Sequence, residues 1–495
     1  MRLIQIIFFI ILLSCNNGEN VASGGAQESV DALESGQAVS TPEEIEAAMA
    51  PVMGGPMKVE IELANAPDAR SYLISSVAGG NFRVDSSYIQ NGRLVFENSE
   101  GYPQGLYFAS LPNESFIQMF LPEDQKFRLS CDMNNIIQTM KVTGSKDNEL
   151  FYDNLRYEEA YNPQYQSLVT QMNAIQDKSS AQFKALEQQR RELEAQRQKH
   201  LESLYEGNED LLFVKFKQAG QNPTIREGVS DEEKVYFYRK EFWDNVDFSD
   251  VRLMRTPVIT NKLRRYIKEL TPQSPDSIRK YSSILVDKVL PYPQYFKMIA
   301  NWIAIEYEPG KTTLMDAEAV FVHMVQNYFT RELAFWSDSM EVYALQQRAG
   351  EMAQSLVGLK GPDVVSTNPE GKTRSIYEMD EDYIVVYMYN PTCEHCMKET
   401  PELVKWYNRR KKEESVAVFA IAIDTDHDEW TGYINEKNMQ VFTNVFDPTN
   451  KSIYAKYFVN VTPEIYLLNK DRTIIAKNLK VFQIDEMIER DKQGQ

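Results

Sequence analysis

Tyr383-Ile384-Val385-Val386-Tyr387-Met388-Tyr389, followed by Asn390-Pro391-Thr392 and then Cys393-Glu394-His395-Cys396, decides how this chain is read. The unbroken apolar and aromatic run suits a strand buried on both faces. Beyond the cysteines, Leu403, Trp406 and Tyr407 recur at helical spacing between Glu399 and Arg410. A C-x-x-C pair between a strand and a helix start is the setting of thiol–disulfide chemistry. With Cys393 at the helix N-cap and Cys396 one turn inside, the sulfurs come within disulfide reach. The unpaired N–H groups and positive dipole end of that helix then stabilise a thiolate on Cys393.

The competing reading of such a pair is half of a zinc site, which needs a second Cys or His pair at ligand spacing. The other cysteines are Cys15 and Cys131, and His200, His323 and His427 stand singly. Redox chemistry is therefore expected, with no metal and no cofactor. The lone histidines read as surface or satisfied core residues. Cys131, on the expected strand Phe127-Arg128-Leu129-Ser130-Cys131, reads as a buried structural thiol.

The spacing Cys393, Cys396, Glu399, Pro401, with Val461-Thr462-Pro463 ahead of the apolar run Ile465 to Leu468, resembles the thioredoxin superfamily, in particular its periplasmic TlpA/ResA-like branch. The resemblance covers roughly 357 to 490. It departs where Tyr389-Asn390-Pro391-Thr392 replaces the usual Phe-Trp before the motif. It implies an α/β fold in which the Thr462-Pro463 loop faces the cysteines, with a cis bond before Pro463. Thr462 and Pro463 would then meet an extended substrate peptide. The order of elements agrees independently. Turns at Gly361-Pro362-Asp363 and Asn368 to Lys372 suit a leading β-hairpin, and Val416 to Ile423 is a second apolar strand. Helices are expected near Asp428 to Asn438, around Asn450 to Tyr457 and over Val481 to Arg490. Glu464 to Leu468 and Thr473 to Lys477 make a strand pair, and the alternation implies βαβ units with a partly parallel sheet.

At the N-terminus, Met1-Arg2 precedes an apolar run, Leu3 to Leu13, that is too short to span a membrane and suits a signal peptide. Its end, Leu12-Leu13-Ser14-Cys15, resembles a bacterial lipobox, which implies cleavage and a lipid on Cys15. Asn16 implies outer-membrane sorting by the same resemblance. Residues 1–15 are thus expected to be a lipoprotein signal, and 16–56 a flexible tether rich in Gly, Ser, Ala, Glu and Pro. The 495 residues leave room for about three domains. A net charge of −19 argues against nucleic acid and anionic lipid surfaces as partners.

Residues 57–150 are expected to form a small β-domain, from short alternating stretches at Lys58 to Leu63, Arg93 to Phe96, Phe116 to Leu121 and Lys126 to Cys131. The stretch Val142 to Phe151 resembles the end of the β-domain that often precedes thioredoxin modules in Gram-negative envelope lipoproteins. Residues 151–350 are expected to be all-α. Leu168, Met172, Ile175, Phe183, Leu186, Leu193, Leu201 and Leu204 suit one or two long amphipathic helices, an αα-hairpin among the options. A dimeric coiled coil is disfavoured because the heptad breaks around Asp177-Lys178-Ser179-Ser180. Glu241 to Asp250 and Arg252 to Pro257 resemble an uncharacterised helical domain found upstream of such modules. Trp302, Tyr307, Phe321, Tyr328, Phe329 and Trp336 read as packing core. Residues 351–495 make up the thioredoxin-like domain.

The expectation is a lipid-anchored, periplasm-facing thiol–disulfide oxidoreductase acting on protein cysteines; the sequence leaves reductase, oxidase and isomerase open, and the family resemblance implies a reductase, which an upstream electron donor would have to feed. Cys393 attacks and Cys396 resolves the mixed disulfide. A charged His395 would favour the thiolate, and Glu399 would accept a proton or oppose that charge. The alternative is a non-enzymatic envelope lipoprotein that binds a partner and uses this domain for docking, but the intact C-x-x-C and Thr-Pro pair argues against it. A peroxiredoxin is suggested only by Pro391-Thr392-Cys393, without the T-x-x-C spacing.

Overall fold

The computed structural model describes residues 49–446, 448 and 456–494. The signal peptide, Cys15, nearly all of the tether and most of the expected helix around 450 to 457 lie outside them. The chain folds as two compact units: one takes residues up to Leu270 with Pro291–Tyr295, the other Thr271–Leu290 with Phe296–Gln495.

The first unit carries two four-stranded sheets. One has the order β4-β1-β7-β8, formed by β4 (Arg93–Asn98), β1 (Met57–Ala64), β7 (Lys126–Asp132) and β8 (Lys141–Thr143). The other has the order β3-β2-β5-β6, formed by β3 (Gly80–Ile89), β2 (Ala69–Val77), β5 (Gly105–Ser110) and β6 (Phe116–Leu121). The expected alternation holds in β1, where Met57, Val59, Ile61 and Leu63 are buried while Lys58 and Glu62 face water. Helix α1 (Lys146–Asn173) follows without a linker because its first turn is stitched into the β region. Ser145 caps it, and the buried Asn148 amide accepts from the Phe120 N–H and donates to the Phe120 carbonyl, both at 2.8 Å. The break at Asp177 to Ser180 is a helix boundary, with Ser180 capping α2 (Ala181–Tyr205). The two helices form an αα-hairpin within one chain. Arg197 reaches Glu158 at 2.7 Å, and His200 stacks on Tyr157 with ring centres 3.9 Å apart. The helical region 151–350 is thus present but divided between the units, because its early helices pack onto the β-sheets.

The second unit is built on a seven-stranded sheet in the order β10-β9-β13-β12-β11-β14-β15. Hairpin strands β9 (Val365–Thr367) and β10 (Thr373–Ser375) lead it. The parallel β11 (Tyr383–Tyr389), β12 (Val416–Ala422) and β13 (Thr443–Phe446) make its middle. Antiparallel β14 (Glu464–Leu468) and β15 (Ile474–Ala476) close one edge. Every residue of β11, β12 and β14 is buried, as continuous apolar runs dictate. Alternate residues of β11 serve two cores. Tyr383, Val385, Tyr387 and Tyr389 pack with Cys396, Leu403 and Trp406, while Ile384, Val386 and Met388 pack with Phe419 and Ile421 on the other face. Helices α3 (Pro275–Val289), α4 (Glu318–Tyr328) and α5 (Ser339–Met352) belong to this unit. The aromatics here pack as core: Trp336 meets Phe296 and Phe329 edge-on at 5.3 and 5.7 Å. The C-terminal part continues with α6 (Glu394–Arg410), α7 (His427–Lys437) and α8 (Ile484–Lys492), the last preceded by a 3₁₀ turn at Val481–Gln483. Among the described residues, no helix is long and apolar enough to cross a membrane.

Candidate active site

The loop from β11 to α6 is shaped by Asn390. Its Oδ1 accepts the Thr392 N–H and hydroxyl, both at 2.7 Å, while its Nδ2 donates to the Asp424 carbonyl at 3.2 Å. The Cys393 N–H closes the turn on the Asn390 carbonyl at 3.1 Å. The residues that depart from the usual Phe-Trp therefore form an Asx turn that delivers Cys393 to the N-cap of α6 in extended conformation, φ −74° and ψ 122°. Its carbonyl takes the first helical bond, from Met397 at 3.0 Å.

Cys393 is half-buried and Cys396 fully buried, and both thiols are free. The Cys393 thiol donates to the Thr462 carbonyl at 3.3 Å, and the Thr462–Pro463 bond is cis. The structure thus brings Cys393, Cys396, Thr462 and Pro463 together. Burial raises the Cys393 pKa, but hydrogen bonds from the Cys396 backbone, the Thr462 side chain, the Cys396 thiol and the His395 backbone outweigh it and hold the thiol below its ordinary value. Cys396 is pushed up to about 12, chiefly by burial. Cys131 is likewise buried and pushed up to about 12, by burial and then by Asp132. The two thiols differ in kind: one is partly accessible and inclined to ionise, the other is shielded and is not.

His395 and Glu399 lie close by in other ways than expected. The His395 side chain is exposed, and the group that reaches the Cys393 sulfur is its backbone N–H. Glu399 is half-buried, and its Oε1 accepts the Val481 N–H at 2.9 Å, joining α6 to the turn before α8. Three further residues escaped the sequence reading. The Tyr387 hydroxyl lies 2.7 Å from Thr400 Oγ1, which lies 2.9 Å from the Tyr433 hydroxyl. A sequence signal existed only for Thr400, four residues after Cys396 on the same helix face. No group of His, Cys, Asp and Glu able to hold a metal occurs among the described residues.

Residues 380–474 match the thioredoxin-like family, and residues 57–151 match a domain of unknown function, DUF4369. The C-terminal domain is thioredoxin-like. No curated protein matches the chain. Among solved structures, a thioredoxin-like protein from Bacteroides caccae is 21% identical with a TM-score of 0.46, over 54% of this chain and 97% of its own. A domain of a possible thiol-disulfide isomerase from Cytophaga hutchinsonii is 28% identical with a TM-score of 0.27, over 29% of this chain and 97% of its own. The thioredoxin domain of a thiol-disulfide oxidoreductase from Bacteroides vulgatus is 24% identical with a TM-score of 0.26, over 27% and 96%.

Proposed function

We propose that the thioredoxin-like domain of this chain is a thiol–disulfide oxidoreductase that reduces protein disulfides in the bacterial envelope. The observation that carries the reading is the half-exposed Cys393 thiol at the start of α6, depressed in pKa, 3.3 Å from the Thr462 carbonyl that precedes cis-Pro463. The Cys393 thiolate attacks a substrate disulfide and releases one substrate thiol, leaving a mixed disulfide. Cys396 then attacks Cys393, releases the second substrate thiol and leaves Cys393–Cys396 oxidised. Two electrons pass from enzyme to substrate in each cycle. An upstream donor must return them, since an oxidising compartment does not.

The Leu12-Leu13-Ser14-Cys15 stretch supports an anchor: a lipid on Cys15 would hold the domain on the periplasmic side of the outer membrane, at the end of the 16–56 tether. The purified chain should reduce insulin disulfides with a chemical thiol as donor, and Cys393→Ser should abolish this. Equal turnover by that variant rejects the enzyme reading. Fatty-acid labelling that persists in Cys15→Ala rejects the anchor.

A further inference from the structure

The end of the sheet that carries Cys393 also receives a segment from the helical region. Met388 of β11 pairs with Glu464 of β14, so Glu464 stands at the sheet end from which the Cys393 loop leaves. β15 returns antiparallel to β14, and the Leu479 N–H donates to the Ile465 carbonyl at 3.4 Å, which brings Lys477 and Asn478 to that same end. The chain around the start of α4 lies against them. Lys477 Nζ stands 3.8 Å from both Asp316 Oδ1 and Glu318 Oε2. Further back, a Cβ placed on Gly310 would stand 3.7 Å from Asn460 Nδ2. Residues 310–318 therefore meet the chain on both sides of Thr462.

Asp316, Glu318 and Lys477 are buried, and Asp316 Oδ1, Glu318 Oε2 and Lys477 Nζ have no hydrogen-bond partner among the described residues. Such a buried ion pair is weak evidence for stability, since apolar side chains of similar volume often serve it as well. Asp316 is moreover held at φ 57°, in the left-handed region, with its Oδ2 accepting the Val357 N–H at 3.0 Å. What the cluster does supply is a run of bonds that ends at the reacting sulfur. Asn478 Nδ2 donates to Glu318 Oε1 at 2.9 Å, and the Asn478 N–H donates to Glu464 Oε1 at 3.1 Å. Glu464 follows Thr462 and Pro463 in the chain, and the Thr462 carbonyl accepts the Cys393 thiol at 3.3 Å. Every link in this run is a covalent or a hydrogen bond.

We propose that Glu318, acting through Asn478 and Glu464, is a positioning residue that fixes the Thr462–Pro463 loop opposite Cys393, so that the redox site extends into the helical region. The inference rests on the oxidoreductase reading above, in which an extended substrate segment meets Thr462 and Pro463 while its disulfide meets Cys393. With the run intact, the loop is set before the substrate arrives, and binding does not have to order it. Without it, the substrate must order the loop. Binding then weakens, while the exchange of sulfurs stays with Cys393 and Cys396.

Insulin reduction by the full chain, with a chemical thiol as donor and the insulin concentration varied, reads this as a split between KM and kcat. Glu318→Ala should raise the KM for insulin at least about fivefold and change kcat by less than about twofold. A protein that is only destabilised loses active molecules, and so loses kcat at constant KM. Asn478→Gly removes the same bond at an exposed residue whose φ of 56° Gly adopts without strain, and should raise KM likewise even if Glu318→Ala does not fold. Glu318→Gln keeps an acceptor for Asn478 and should hold KM near that of the wild type. Failure of the wild type to reduce insulin defeats the oxidoreductase reading and this inference with it. A wild-type KM in Asn478→Gly, or a loss of kcat at unchanged KM in Glu318→Ala, overturns the positioning role alone.

Discussion

Cys393 owes its character to its station at the helix start. The C-x-x-C after an apolar run made that station legible, and the thiol does stand at the N-cap. The means was less legible. The sequence suggests that a charged His395 ring favours the thiolate, whereas the ring is exposed and the backbone N–H is what reaches the sulfur. A pattern of residue types identifies side chains but not which backbone donors converge on an atom. The difference can be tested. His395→Pro, tolerated in the first turn, removes that N–H, raises the Cys393 pKa and weakens the reduced form relative to the oxidised. The couple should become more reducing by on the order of tens of millivolts, with 30 mV equal to about 1.4 kcal/mol for two electrons. His395→Ala keeps the N–H and should stay near the wild type in a glutathione equilibrium. An equal shift in both variants would return the effect to the ring.

At the scale of elements, α6 is held by its neighbours as well as by its own turns. Trp406 Nε1 donates to Asp485 Oδ1 at 2.8 Å, and Arg410 meets Glu489 at 2.5 Å, so α6 and α8 are cross-linked along their length. Glu399 adds the bond to Val481 nearest the cysteines. Glu399→Ala leaves the Val481 N–H without its acceptor and should cost about 1 to 3 kcal/mol, whereas Glu399→Gln keeps an acceptor oxygen and most of that stability. Thermal unfolding and hydrogen exchange at Val481 read this out. Equal loss in the two variants would show that the negative charge, rather than the bond, matters. Strands and helices of this domain were legible because apolar periodicity fixes them: β11, β12, β14 and α6 all lie where the pattern placed them. The Tyr387–Thr400–Tyr433 chain was not. Its members come from a strand and two helices, 13 and 33 positions apart along the chain, and only the folded sheet brings them together.

At the scale of the whole molecule, the sequence showed a β-rich start, a helical middle and a thioredoxin-like end, but not that the helices divide between two compact units. Capping and periodicity mark where helices begin and end, and say little about which sheet they cover. The second unit also buries a charge cluster with no sequence signature. Lys477 lies 3.8 Å from both Asp316 and Glu318, and all three are at most 4% exposed. Burial pushes Asp316 up to about 7 and the neighbouring Glu464 up to about 8, against the downward pull of Lys477. Unfolded carboxyls release their protons near pH ~4, so the folded state holds more protons across the interval above that. The stability linked to these two groups is complete below about pH 4 and is lost as pH rises through about 7 to 8. Glu464→Gln should flatten this decline in urea unfolding, and an unchanged slope would show that Glu464 is ionised throughout. The central claim, that Cys393 attacks and Cys396 resolves, is tested most directly by trapping. Expressed in an envelope, Cys396→Ser should accumulate long-lived mixed disulfides between Cys393 and exported proteins, and Cys393→Ser should accumulate almost none. Equal trapping by the two variants, or greater trapping through Cys396, would contradict it.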